Sequence, residues 1–329
     1  MGENRVWQTM KAGRAVLASM AIVFLAALVA CTPGPSDPYY EDTRPRPRPS
    51  DLPPLSLPPI SSPVSTPSPP EPPGFKPNLW VLAVAATKYR NAAYCLRYPA
   101  LDAQRLSECL KRQEGRLFGR VSVKLLLDEH TTREEINDAR ETFLSHASVR
   151  DIVLIFLAGH GLEDSRGNFF FLTYDAEAER PYLRAYSWRD VQGQLLDGLP
   201  TQKVVLLVDT CYAGGVSGDG KATRAVGVGQ MKDLDSLANR VRNATGCYIF
   251  MASTSKERAI EATAWGGGVF AAALIEALEG RAAKEGVVTI LGLMDYVDRR
   301  VIDLTAGQQH PTWKTPSNAM NFPIAAVGK

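Results

Sequence analysis

Two stretches decide the fold: Asp151-Ile-Val-Leu-Ile-Phe-Leu-Ala158, which runs into Gly159-His160-Gly161, and Lys203-Val-Val-Leu-Leu-Val208, which runs into Asp209-Thr210-Cys211-Tyr212-Ala213-Gly214-Gly215. Each is a short, almost wholly apolar run rich in β-branched residues, the pattern of a strand buried on both faces. Three similar runs lie elsewhere, Leu79 to Ala86, Val121 to Leu127 and Cys247 to Ala252. Helical patterns separate them: Ala100 to Gln113; Thr132 to His146, opened by Thr131-x-x-Glu134 or Thr132-x-x-Glu135; Trp188 to Leu196, opened by Ser187-x-x-Asp190; Gly268 to Glu279; and Thr289 to Asp303. Alternation of this kind predicts an α/β domain over residues 78–329, with a mostly parallel sheet and helices on both faces. Phe169 to Tyr174 reads as a short hairpin arm after the third strand, and Gly214 to Gly229 as loop.

In such sheets ligands bind beyond the carboxyl ends of the strands. His160 leaves the third strand there between two glycines, which let backbone approach closely. Cys211 leaves the fourth. If these strands are neighbours, an imidazole and a thiol share one crevice, the minimum equipment for nucleophilic acyl transfer. The same residues also admit a plain structural reading, a histidine capping a strand and a small buried thiol.

The N-terminal part is of another kind. Residues 1–14 carry three basic side chains against one acid, and Ala15 to Ala30 form an uncharged apolar run of 16 residues, short of the roughly 20 that span a membrane. This is the layout of a signal peptide over residues 1–30. Leu28-Val29-Ala30-Cys31 resembles a bacterial lipobox, which implies lipidation of Cys31 and a membrane anchor made of more than one acyl chain. Thr32 follows, without the aspartate that retains such lipoproteins in the inner membrane, so the expected location is exported, on the periplasmic face of an outer membrane if the cell has one. Residues 31–77 hold 17 of the 23 prolines and almost nothing to bury, a disordered, partly polyproline-like spacer.

The charge balance excludes one class. After the first 30 residues, basic and acidic side chains number 34 each. A nucleic-acid binder that neutralises phosphates would show a basic excess. Four histidines without ligand spacing, and no CxxC, argue against a zinc site. Gly215-Val-Ser-Gly-Asp-Gly220-Lys221-Ala222 approaches a P-loop, but Ala222 stands where magnesium needs a hydroxyl and no periodic helix follows. No GxSxG elbow is present for a serine hydrolase. Cys95, Cys109 and Cys247 read as buried thiols, although an exported location permits a disulfide.

The chain resembles the caspase-fold cysteine peptidases, closest to the bacterial metacaspase-like branch of peptidase family C14. The residues that carry the likeness are Leu96 to Ala103, the strand with Gly159-His160-Gly161, the strand with Asp209-Thr210-Cys211-Tyr212-Ala213-Gly214, Ala252-Ser253-Thr254 and Gly268-Val269-Phe270. The resemblance implies a three-layer fold with a six-stranded, mainly parallel sheet, whose last strand is expected near Asn321 to Ala325. It implies a His160–Cys211 dyad, an oxyanion hole from the amides of Gly161 and Cys211, and a primary pocket lined by Asp102 and Asp209. Two carboxylates there favour protein or peptide substrates with arginine or lysine before the scissile bond. Ala158 and Pro99 depart from the metacaspase pattern, where a serine and a cysteine stand. Lys221 and Arg224, among glycines in the loop from Tyr212 to Gly246, are candidate self-cleavage positions. The chemistry requires no cofactor, and a calcium requirement is left open, with no EF-hand ligand run in the chain. The alternative is a membrane-tethered caspase-fold module that binds peptides without cutting them.

Overall fold

A computed structural model describes residues 74–164, 166–212, 247–253, 261–262, 266–316 and 319–328, with backbone alone for 211, 212, 261 and 262. Cys31, Lys221 and Arg224, the spacer before residue 74 and the loop from Ala213 to Gly246 lie outside these residues.

In chain order, β1 (Leu79–Ala85) leads to α1 (Pro99–Lys111) and β2 (Val121–Leu127), and then α2 (Arg133–Thr142) leads to β3 (Ile152–Glu163). The short β4 (Phe169–Phe171), α3 (Pro181–Arg184), β5 (Tyr186–Ser187) and α4 (Trp188–Asp190) precede β6 (Val204–Tyr212) and β7 (Cys247–Met251). A small hairpin of β8 (Glu261–Ala262) and β9 (Gly267–Gly268) opens into α5 (Val269–Glu276). Next come β10 (Val287–Thr289), α6 (Ile290–Leu304), β11 (Thr312–Lys314) and β12 (Pro323–Ala326).

The main sheet has the order β11-β7-β6-β3-β1-β2, and β4 and β5 extend it as an arm from the end of β3. β1, β2, β3, β6 and β7 run parallel and β11 antiparallel, which makes the six-stranded, mainly parallel sheet expected. Alternate residues of β3 supply two cores. Ile152, Leu154, Phe156 and Ala158 pack with α1, α5 and α6, while Val153, Ile155 and Leu157 pack with α2 and the turns after α4. A strand covered on both sides has no polar face to show, which is why these runs read as unbroken apolar segments.

The sixth strand is not where the sequence placed it. Residues 323–326 form β12, which pairs with β10 in a separate two-stranded sheet, and Ile324 and Ala325 fill the core beside α5 and α6. The edge position belongs to Thr312-Trp313-Lys314 on β7. A three-residue edge strand with exposed Trp313 and Lys314 has no apolar run to announce it.

Helix starts follow their caps. Thr132, not Thr131, opens α2 by accepting from the Glu135 amide, while Thr131 is buried and donates to the Ala85 and Leu126 carbonyls. Ser187 and Asp190 form the reciprocal capping box, but α4 gives way to a wider turn from Val191 to Leu196. Pro99 takes the first position of α1, where a missing amide hydrogen costs nothing. Among the described residues no helix is long and apolar enough to cross a membrane.

One carboxylate ties the amino end of the sheet. Asp151, 2% exposed, accepts from the amides of Asn78 and Ser148 and from the Trp80 indole. Burial pushes its pKa up, but the Ser148 and Asn78 amides and the indole outweigh burial and hold the carboxyl below its usual range. Because the folded value is depressed, its contribution is full above the unfolded carboxylate pKa of about 4 and is lost as pH falls below it. Asp151→Asn is expected to lower stability by roughly 1–3 kcal/mol at pH 7, read from urea unfolding, with the difference shrinking toward pH 3.

Candidate functional site

β3 and β6 are longer than their apolar runs. The parallel pairing continues from Val153↔Val204 to His160↔Cys211 and Gly161↔Tyr212, so both motifs lie inside the strands and not beyond them. Register alone therefore sets His160 beside Cys211. Both positions fall on the face covered by α1 and α5, as does Asp209 two residues earlier.

The glycines around His160 have separate causes. Gly159 has φ +149°, and a β-carbon there would lie 2.7 Å from the Tyr89 hydroxyl. Gly161 has ordinary dihedrals, but a β-carbon would lie 2.7 Å from the Phe169 ring and 3.1 Å from Thr210 Oγ1. Either side chain would push the strand end out of place.

Among the described residues the imidazole has one polar contact, Nε2 to the Tyr94 carbonyl at 2.9 Å, and it packs against the rings of Tyr89 and Tyr94. A carbonyl only accepts, so Nε2 carries the hydrogen. In the neutral ring the lone pair is then on Nδ1, which is buried and has no hydrogen-bond partner among the described residues. Burial lowers the His160 pKa below its usual value, and the Tyr94 carbonyl offsets only part of this. The ring at pH 7 is neutral, with a basic nitrogen not engaged by any described residue.

The two amides proposed from the resemblance face one seam. Val153 donates to the Lys203 carbonyl, so the odd-numbered amides of β3, Gly161 included, point toward β6. Ala252 donates to the Val208 carbonyl, so even-numbered residues of β6 turn toward β7 and Cys211 turns toward β3.

Asp102 and Asp209 converge on the β9 turn. A β-carbon built on Gly268 would lie 3.2 Å from an oxygen of each, and Asp102 Oδ2 accepts the Gly268 amide at 2.8 Å. Asp102 is 4% exposed and reaches across to the turn that opens α5. Sequence reasoning missed Arg105, one turn further along α1, which donates to the Gly266 carbonyl at 2.6 Å. Its spacing of three from Asp102 was the available signal. Glu261 pairs by backbone with Gly268, which brings that position into the same turn.

Other expectations change. Cys95 is exposed, not buried, because it follows the turn whose carbonyl holds His160, and Cys109 and Cys247 are buried. All three are free thiols. Burial raises the Cys109 pKa to about 11 and raises that of Cys247 as well, so neither serves as a nucleophile. Ala158 is in the core, where a hydroxyl would need a partner. His130 contacts Glu135 at the surface and His146 stacks on Trp80, both away from the site. Among the described residues no group of three or more His, Cys, Asp or Glu side chains is close enough to hold a metal ion.

This sheet, with a histidine and a cysteine in register on adjacent central strands, is the arrangement of a caspase-type domain. The caspase domain model of peptidase family C14 matches residues 79–323, and the chain belongs to that family. Members of the family are in general cysteine peptidases. A Geobacter sulfurreducens protein solved as a structural genomics target superposes with a TM-score of 0.54 at 14% identity, covering 77% of this chain and 100% of its own. Caspase-1 from Spodoptera frugiperda superposes with a TM-score of 0.46 at 16% identity, over 77% of this chain and 92% of its own. No curated protein sequence matches the chain.

The glycine contacts make a direct test. A β-carbon on Gly267 would lie 2.2 Å from Asp102 Oδ1, whereas one on Gly193 meets nothing within 4 Å. Gly267→Ala is expected to destabilise by about 1–3 kcal/mol and Gly193→Ala to be neutral or stabilising by up to about 1 kcal/mol, both read from chemical denaturation.

Proposed function

We propose that the chain is a cysteine endopeptidase of the metacaspase-like kind that cuts after arginine or lysine. The observation that carries this reading is the His160↔Cys211 register together with the Nε2 bond to Tyr94, which directs the basic Nδ1 away from that carbonyl. Nδ1 takes the Cys211 proton as sulfur attacks the scissile carbonyl carbon. The Gly161 and Cys211 amides, which point into the β3–β6 ladder as donors of its last rungs, serve the oxyanion when those rungs open. The imidazolium then gives its proton to the leaving amine as the C–N bond breaks, leaving a thioester. Water, deprotonated by the same nitrogen, hydrolyses the thioester and restores the thiol.

Asp102 and Asp209 form the acidic wall of the primary pocket and pair with a basic side chain. Asp102 also braces Gly268, so its removal affects the pocket's shape as well as its charge. Self-cleavage near Lys221 or Arg224 follows from the same specificity. The substrates are proteins or peptides met at a membrane surface, since lipidation of Cys31 tethers an exported chain through the proline-rich spacer.

The test uses peptides that differ only in carrying Arg, Lys or Asp before the scissile bond, with and without calcium, and a Cys211→Ala control. Cleavage after Arg or Lys that vanishes in the control is the expected result. Cleavage after Asp would retain the dyad and refute the acidic pocket, and no cleavage of any peptide would favour the non-catalytic binding module. Because burial lowers the His160 pKa, the acid limb of kcat/KM is expected below pH 6.5, with activity lost as the ring protonates. An acid limb above pH 7 would contradict a neutral general base.

A further inference from the structure

The β1–β3 ladder ends one rung too early for His160. Even-numbered amides of β3 face β1: Ile152 donates to the Asn78 carbonyl, and at the other end the Ala86 amide donates to Ala158. The last pair in register is Ala85↔Ala158. The next amide on that side is that of His160, beyond the end of β1. It donates instead to the Tyr89 hydroxyl at 3.0 Å. A side-chain oxygen thus replaces the carbonyl that a longer β1 would have offered.

Three further features belong to the same device. Tyr89 is 5% exposed, and its ring lies 5.4 Å from the imidazole at a 41° tilt. It also meets Tyr94 edge to face at 6.2 Å, so it touches both the histidine and the residue whose carbonyl holds Nε2. Gly159 is glycine partly because the hydroxyl stands 2.7 Å from where its β-carbon would be.

We infer that Tyr89 is a positioning residue for His160, its hydroxyl fixing the strand end from which the imidazole projects. The inference rests on the reading of His160 as general base. Without the oxygen, the partly buried His160 amide loses its acceptor and the backbone at Gly159-His160 shifts to find another. The Nε2 bond to Tyr94 then loosens, and the ring samples both tautomers instead of one.

The experiment is Tyr89→Phe in the full chain. It removes one oxygen and keeps the ring packing. Tyr186→Phe is the control, since it deletes the hydroxyl of another buried tyrosine, one that donates to Asn137 Oδ1 at 2.9 Å on the α2 side of the sheet and makes no bond to His160. In ¹⁵N-histidine spectra, with the His160 signals assigned by their loss in His160→Gln, the unmodified chain is expected to show the Nε2–H tautomer. Tyr89→Phe is expected to show averaged shifts of the two nitrogens, and Tyr186→Phe none. For peptide cleavage, kcat is expected to fall roughly ten- to hundredfold with KM within about twofold. Unchanged nitrogen shifts, or a kcat loss no larger than that of Tyr186→Phe, would overturn the inference. If the unmodified chain cleaves no peptide, the peptidase reading fails, while the nitrogen shifts still decide the role of Tyr89. Should Tyr89→Phe not fold, hydrogen exchange of the His160 amide in the unmodified chain decides: protection like that of the rungs within β3 supports it, and free exchange overturns it.

Discussion

The parallel pairing of β3 with β6 is the constraint from which the site follows. Nine residue pairs run from Val153↔Val204 to Gly161↔Tyr212, and the first five join two strands buried on both faces. A slip of one residue would turn every core side chain of one strand to the wrong layer. Burial of Val153, Ile155 and Leu157 on one side, and of Leu154, Phe156 and Ala158 on the other, therefore locks the register. The histidine and cysteine inherit their alignment from a core that has no part in chemistry.

What lies beyond the apolar runs needs its own supports, because strand ends without neighbours fray. His160 is held through its backbone by Tyr89 and through its ring by Tyr94. The turn at Gly266 to Gly268 is held from α1 by Asp102 and Arg105. Thr87 accepts the Ala100 amide, and its own carbonyl accepts from Leu96, which fixes the loop between β1 and α1 that carries both tyrosines. The candidate site is thus a set of loops braced against one another over the carboxyl edge of a rigid sheet.

Much of this was legible in the residues. β2 lies where its apolar run is, β1 and β7 stop one residue short of theirs, the caps at Thr132 and Ser187 mark true helix starts, and the helical pattern from Thr289 begins at the residue that caps α6. Apolar runs and caps are local signals, readable because the same few residues create and satisfy them. The edge strand at 312–314 was not legible, since its hydrogen bonds come from β7 and its side chains are half exposed or exposed. Asn321 to Ala325 was placed as the last strand of the main sheet by resemblance; a strand does form at Pro323–Ala326, with Ile324 and Ala325 buried, but burial does not say which sheet a strand joins. Tyr89 was invisible, and Arg105 hinted at only by its spacing from Asp102, for a related reason. Each acts through a hydrogen bond to backbone 71 or 161 positions away, and backbone acceptors and donors leave no mark in composition.

The central claim is that Cys211, activated by His160, attacks a carbonyl next to a basic side chain. Peptides ending in an arginine or an aspartate acyloxymethyl ketone test it most directly, because the reagent alkylates only a thiolate delivered to its carbonyl, and digestion with mass spectrometry identifies the sulfur. Exposed Cys95, close by in sequence to the carbonyl that holds His160, serves as an internal competitor. The arginine reagent is expected to label Cys211 stoichiometrically, far faster than the aspartate reagent, and to lose that advantage in His160→Ala. Labelling of Cys95 in preference to Cys211, or equal rates for the two reagents, would contradict the account.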